Sequence, residues 1–313
     1  MTGWPPDAVS FALEPIPPFR LDLTVWALRR RPDNLMDRWD GQTYRRVLLM
    51  GGAPVEVAVT QVSAAQTPRL HVAVAGSAAL PDPQDQVVAM LQRLLGIQLD
   101  LQEFCRFSAQ DELLYPLASR FDGFKPPRFP TLFETLVNAI SCQQLTLTMG
   151  IRLLNRLTER HGAPLETVAG TFHAFPSPSD LADADIEDLR RLSFSYQKAR
   201  YLTGLARAIV DGQIDLEQIA SLDDQTVVAW LRELKGIGRW TAEYFLLRGL
   251  GRTHIFPGDD VGARNHLQRW LGLPGAMTYD RTAGAIQRWD GYGGLVYFHM
   301  LLKSLAEKGL IVG

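Results

Sequence analysis

Leu234-Lys235-Gly236-Ile237-Gly238-Arg239-Trp240-Thr241-Ala242-Glu243-Tyr244, with Asp259-Asp260 downstream, is the stretch on which the reading of this chain turns. Two glycines flanking one apolar residue suit a tight turn between helices, because glycine adopts positive φ and leaves backbone N–H groups uncovered. A helix that starts at such a turn points its first unpaired N–H groups and its positive dipole end at an anion. Taken alone, the turn also fits a plain connection between helices. Either aspartate after Phe256-Pro257-Gly258 could be the N-cap of a helix beginning near Val261. Trp240 and Tyr244 lie one helical turn apart on one face, a spacing common in packed cores.

The rest of the chain sets the frame. Its 313 residues are enough for two cores, and 46% hydrophobic with 21% charged residues is an ordinary globular composition. Apolar runs such as Leu153-Leu154 and Leu246-Leu247 are soon broken by arginine, so no membrane span is expected. Met1 to Asp7 lacks the basic start and apolar core of a signal segment. Two cysteines, Cys105 and Cys142, cannot supply a four-cysteine cluster and suggest a reducing compartment. A net charge of −2 neither supports nor excludes a nucleic-acid partner, which needs only a local basic patch.

An α+β fold is expected. Arg45 to Met50, Val55 to Val62 and Leu70 to Ala75 are valine- and leucine-rich and separated by turn residues, which predicts a small antiparallel sheet. Pro83 opens a helix that stops at Gly96. From about Leu113 onward the pattern is helical throughout. Thr131 with Glu134 predicts a capping box, Ser179 and Asp185 begin short helices, and a break falls near Gly291. The expected division is an α+β domain over 1–112 and an all-helical domain over 113–313. Within the second, the paired helices span about 222–249 and the aspartate turn 256–262.

Order and spacing together give these features their meaning. Leu234 to Arg248 with Phe256 to Asp260, and Asn138-Ala139-Ile140-Ser141-Cys142-Gln143-Gln144-Leu145-Thr146, resemble the helix–hairpin–helix DNA glycosylases, in particular the alkylation-repair 3-methyladenine DNA glycosylase II branch. Thr24-Val25-Trp26 and Arg29-Arg30-Arg31-Pro32 look like that branch's extra N-terminal domain, so the resemblance covers most of the chain.

The resemblance implies a monofunctional enzyme of base excision repair that flips an N-alkylated purine out of double-stranded DNA and hydrolyses its N-glycosidic bond. Asp260 would be the catalytic carboxylate, and Trp240, Tyr244 and Tyr292 would line the base pocket. Around Tyr292, Trp289-Asp290-Gly291 departs from the family's usual run, which leaves the far wall of that pocket open. A tryptophan at 240, where lyase relatives carry a Schiff-base lysine, implies no backbone nicking. Backbone N–H groups at Gly236, Gly238 and Thr241, with the Arg239 and Lys235 side chains, would hold phosphate, and Lys235 replaces a usual proline. Gln144 or Leu145 would be the wedge that fills the vacated stack. Related hairpins bind a monovalent cation through backbone carbonyls, here around Arg232, Leu234 and Ile237. No cofactor is expected, nor any membrane association. A monomer, cytoplasmic and nucleoid-associated in a bacterium, is the expected state. The competing readings are a glycosylase for another lesion and a non-catalytic DNA-binding protein that keeps the hairpin.

Overall fold

Valine alternation along the chain builds the sheet. Val57 pairs with Val74 and Val59 with Val72 across two antiparallel strands, and all four side chains point into one core. The computed structural model describes residues 8–76 and 83–312. The signal-segment reading of Met1 to Asp7 lies outside them.

Strand β1 (Val9–Leu13) is followed by helix α1 (Leu21–Arg29), then β2 (Arg38–Trp39), β3 (Thr43–Met50), β4 (Ala53–Gln61) and β5 (Leu70–Ala75). Helices α2 (Pro83–Leu95), α3 (Gln102–Ser108), α4 (Leu114–Arg120), α5 (Leu132–Cys142) and α6 (Leu147–His161) come next. A hairpin of β6 (Pro164–Thr167) and β7 (Gly170–His173) interrupts the helices. Helices α7 (Pro178–Ala182), α8 (Ile186–Arg191), α9 (Tyr196–Val210), α10 (Leu216–Ala220) and α11 (Asp224–Glu233) follow it. Helix α12 (Arg239–Phe245) runs on into a π-helical turn over Leu246–Leu250. Helices α13 (Val261–Leu271), α14 (Tyr279–Ile286) and α15 (Gly293–Glu307) complete the chain, with a 3-10 turn over Gln287–Trp289 before α15. The main sheet is antiparallel in the order β1-β5-β4-β3-β2.

The α+β class and the three inner strands match expectation, and four departures have physical causes. Helix α1 carries no amphipathic stripe because nearly all of its residues are buried, so a periodicity search passes over it. The β6–β7 hairpin breaks the expected all-helical stretch. Its strands are only four residues each, too short to show a pattern. It packs on the sheet, with the Arg38 guanidinium 3.5 Å from the Phe172 ring centroid. Helix α7 is capped by Ser177, not Ser179, in a capping box closed by Asp180.

The fourth departure joins the two halves of the chain. Thr131 does cap α5, accepting from the Glu134 N–H at 3.0 Å. The Glu134 carboxylate, however, does not return to the cap. It turns inward and accepts from Arg46 on β3 at 2.5 Å, while the other end of that guanidinium donates to Asp37 at 2.7 Å. Tyr44 donates to the same Asp37 at 2.8 Å. All four side chains are buried. Buried charges persist only when each has a partner, so this cluster fixes the sheet against α5. Core residues cross the same seam: Phe129, Ala139 and Tyr244 pack into the cluster under the sheet. Glu134→Ala would leave Arg46 half-paired in the core, and we expect it to lower the unfolding free energy by about 3–5 kcal/mol. Urea unfolding measures this, and Glu134→Gln, which still offers an acceptor, should lose less.

Candidate functional site

Helix α11 ends at Glu233 and α12 begins at Arg239, so the quoted glycines do form a turn between helices. Ile237 is buried in the helical core and pins that turn. Gly236 has φ 88, and a Cβ there would lie 2.2 Å from the Tyr201 ring on α9. Both the left-handed backbone and the close ring exclude any other residue. Gly238 is the N-cap of α12 and offers no side chain to the first-turn N–H groups. Those N–H groups therefore receive no acceptor from their own cap, which is the condition under which a helix start can take an anion.

The aspartate turn packs against this helix. Asp260 is the N-cap of α13, and its Oδ1 accepts from the Ala263 N–H at 2.8 Å. Its Oδ2 accepts from Trp240 Nε1 at 3.2 Å and from the Tyr297 hydroxyl at 3.3 Å. The N-cap reading of Asp260 thus holds: one oxygen caps the helix, and the other faces an aromatic cluster. Burial first, and then the neighbouring Asp260 carboxylate, push the Tyr297 phenol well up, so it stays protonated and donates. Asp259 points elsewhere, accepting from Arg239 Nε at 2.8 Å.

Trp240 and Tyr244 lie ring against ring with centroids 5.2 Å apart. The Tyr244 hydroxyl accepts from Arg30 Nη1 at 2.9 Å, and Arg30 Nη2 donates to Asn138 at 3.0 Å. Trp240, Tyr244 and Asp260 are therefore brought together in one cluster. Tyr292 is not in this cluster. Its ring packs at a tilt against Phe104 and Phe107 of α3, with centroids at 5.5 and 4.7 Å. The tyrosine that reaches Asp260 is Tyr297, further along the same stretch, which sequence reasoning missed. Arg30 was missed as well, because only the fold brings α1 to α12.

The loop between α5 and α6 is clamped at its base and free at its tip. Gln143 Nε2 donates to the Gly236 carbonyl and to the Thr241 hydroxyl, each at 2.8 Å. Lys198 Nζ donates to the carbonyls of Ser141 and Gln143 at 2.9 and 2.8 Å. Gln144 is exposed with φ 53, a backbone conformation that is strained for a side chain of this size, and Leu145 beside it is 43% exposed. Thr241 is buried as a whole residue, and its hydroxyl accepts from Gln143. Arg239 is half-exposed yet ion-paired to Asp259, and Lys235 is exposed. Because α11 stops at Glu233, the Arg232 carbonyl has no intrahelical donor. Leu234 gives only one lone pair to the Ile237 N–H, at 3.2 Å. Among the described residues no cluster of His, Cys, Asp or Glu could hold a metal ion.

A helical hairpin, a capped aspartate facing aromatic rings and an N-terminal sheet together define the architecture of the helix–hairpin–helix glycosylases. The same fold is seen in the 3-methyladenine DNA-glycosylase from Archaeoglobus fulgidus, with a TM-score of 0.80 over 94% of this chain and 98% of that one at 24% identity. Residues 137–290 match the family model of the HhH-GPD superfamily base excision DNA repair proteins. The chain is 28% identical to the DNA-3-methyladenine glycosylase of Bacillus subtilis over 57% of this chain, and 28% identical to DNA-3-methyladenine glycosylase 2 of Escherichia coli over 72% of it and 74% of that protein. It spans 55% and 59% of the length of two Bacillus subtilis relatives. Over residues 137–290 the chain belongs to the HhH-GPD superfamily of base excision DNA repair proteins.

Gly236→Ala would force both a strained φ and a clash with Tyr201. We expect it to cost about 1–3 kcal/mol of stability and to weaken duplex binding, both read from thermal unfolding and a fluorescence anisotropy titration.

Proposed function

We propose that the protein is a monofunctional DNA glycosylase that removes N-alkylated purines such as 3-methyladenine from double-stranded DNA. The observation that carries this reading is Asp260 Oδ2, held by Trp240 and Tyr297 at the edge of an aromatic cluster. The carboxylate stabilises positive charge developing on the sugar and orients the attacking water. Water adds at the anomeric carbon as the C–N bond breaks and gives up a proton to the Asp260 carboxylate, and an alkylated base that already bears a positive charge departs neutral. Little general-acid help is needed. The Trp240 and Tyr244 faces attract an electron-poor base by stacking and cation–π attraction.

The hairpin supplies the grip. Backbone N–H groups of the α12 first turn, with Lys235 and Arg239, take phosphate, and the clamped loop presents Gln144 or Leu145 to the vacated stack. Trp240 cannot form a Schiff base, so the product is an abasic site with an intact backbone. The protein works on DNA as a monomer, in the cytoplasm with the nucleoid.

Asp260→Asn keeps an oxygen for the α13 cap, so the variant should fold. We expect base release from methylated duplex DNA to fall at least about 100-fold while duplex binding survives. The liberated bases are identified by chromatography. Full activity in the variant would leave Asp260 as a helix cap only, and release of no methylpurine by the wild type would overturn the substrate class.

A further inference from the structure

Glu243 lies on α12 between Trp240 and Tyr244, yet it faces the other way. It is only 7% exposed, and its two oxygens are both engaged. Oε2 accepts from the Gly258 N–H at 2.9 Å, and Oε1 accepts from the Tyr279 hydroxyl at 2.7 Å. Tyr279, from α14, closes on the same turn: a Cβ on Gly258 would come within 2.7 Å of its ring. The same ring carries Arg239, whose guanidinium carbon lies 3.7 Å from its centroid. Arg239 in turn holds Asp259. These contacts close a circuit that runs from the phosphate side of the hairpin, through Tyr279 and Glu243, to the turn bearing Asp260.

The circuit grips three consecutive residues. Gly258 is held by Glu243, Asp259 by Arg239, and Asp260 by the N–H of Ala263. Burial, its largest influence, raises the Glu243 carboxyl, and burial followed by the bond to Glu243 raises the Tyr279 phenol to about 12. Tyr279 therefore stays a donor. A buried carboxylate is costly unless it is fully hydrogen-bonded, and here its bonds are spent on one backbone N–H and one hydroxyl rather than on a structural cation alone. The reacting geometry depends on this placement, because Asp260 Oδ2 sits at 3.2 and 3.3 Å from its donors, and a displacement of about 1 Å in such a site costs about 100-fold in rate.

We propose that Glu243 and Tyr279 are positioning residues, which fix the Asp260 turn against α12 and couple it through Arg239 to phosphate engagement. The inference rests on the glycosylase reading above. Single-turnover base release with enzyme in excess, measured beside duplex affinity, separates placement from binding. Glu243→Ala is expected to slow release about 10- to 100-fold with affinity changed less than about threefold. Glu243→Gln, whose amide can still accept from Gly258 and donate to the tyrosine oxygen, should restore most of the rate. Tyr279→Phe keeps the ring and is the variant least able to disturb folding. It should slow release by less than Glu243→Ala, and the double variant should be no slower than Glu243→Ala alone.

A second readout does not need activity. The indole N–H resonance of Trp240 reports its hydrogen bond to Asp260 in a nitrogen-15 spectrum, and it should move in Glu243→Ala and Tyr279→Phe but little in Glu243→Gln. An unmoved resonance, wild-type release in Glu243→Ala, or additive losses in the double variant would overturn the inference. Absence of release in the wild type, with the resonance moving as described, would instead overturn only the glycosylase reading.

Discussion

A carboxylate that caps a helix has two oxygens, and at Asp260 they are divided between two tasks. Oδ1 must take the Ala263 N–H, because α13 starts there and its first-turn donors need a partner. That bond fixes the orientation of the side chain, and Oδ2 is left as the oxygen that meets Trp240 and Tyr297. The cap is thus what aims Oδ2. Everything else around the site serves to bring three separately folded pieces to that oxygen: the hairpin helix α12, the turn before α13, and the face of α15 that carries Tyr297.

Buried arginines do much of this joining. Arg46 ties β3 to α5 through Asp37 and Glu134. Arg248, in the π-helical turn that ends α12, donates to the Ala27 carbonyl of α1 and lies about equally far from the Phe129 and Phe298 rings, at 5.1 and 5.0 Å. Arg30, in a left-handed conformation at the end of α1, reaches Tyr244 and Asn138. Guanidinium suits these seams because it keeps its charge, donates along several directions and stacks flat on rings. The N-terminal part of the chain is therefore not an appendage. It supplies a hydrogen-bond partner to an aromatic residue of the site itself.

What the sequence made legible was local. The Gly236 turn, the start of α13 at Asp260 and the valine strands each depend on residues close in the chain, where spacing and turn chemistry carry the information. What it hid was decided by burial and by long-range contact. Helix α1 shows no stripe because it is covered on all sides. The side chain of Glu134 looked like half of a capping box until Arg46 claimed it. Tyr292 and Tyr297 stand near one another in sequence, and only the packing of α3 against the start of α15 decides that the first packs against Phe104 and Phe107 while the second reaches Asp260. No pattern in a single chain separates two such tyrosines.

The loop between α5 and α6 and the hairpin illustrate how few bonds can make two elements one body. Gln143 is the C-cap of α5, and its amide reaches the turn carbonyl of Gly236 and the hydroxyl of Thr241 on α12. Lys198 on α9 gathers the carbonyls at the other side of the same loop. An amide with both its hydrogens engaged cannot swing, and an ammonium holding two carbonyls removes the freedom of the loop's base. The exposed tip at Gln144 and Leu145 consequently has a fixed position relative to the N-terminus of α12. Thr241 is buried and Gln143 only partly exposed. Their contribution is to make the distance between tip and turn a property of the fold rather than of a mobile loop.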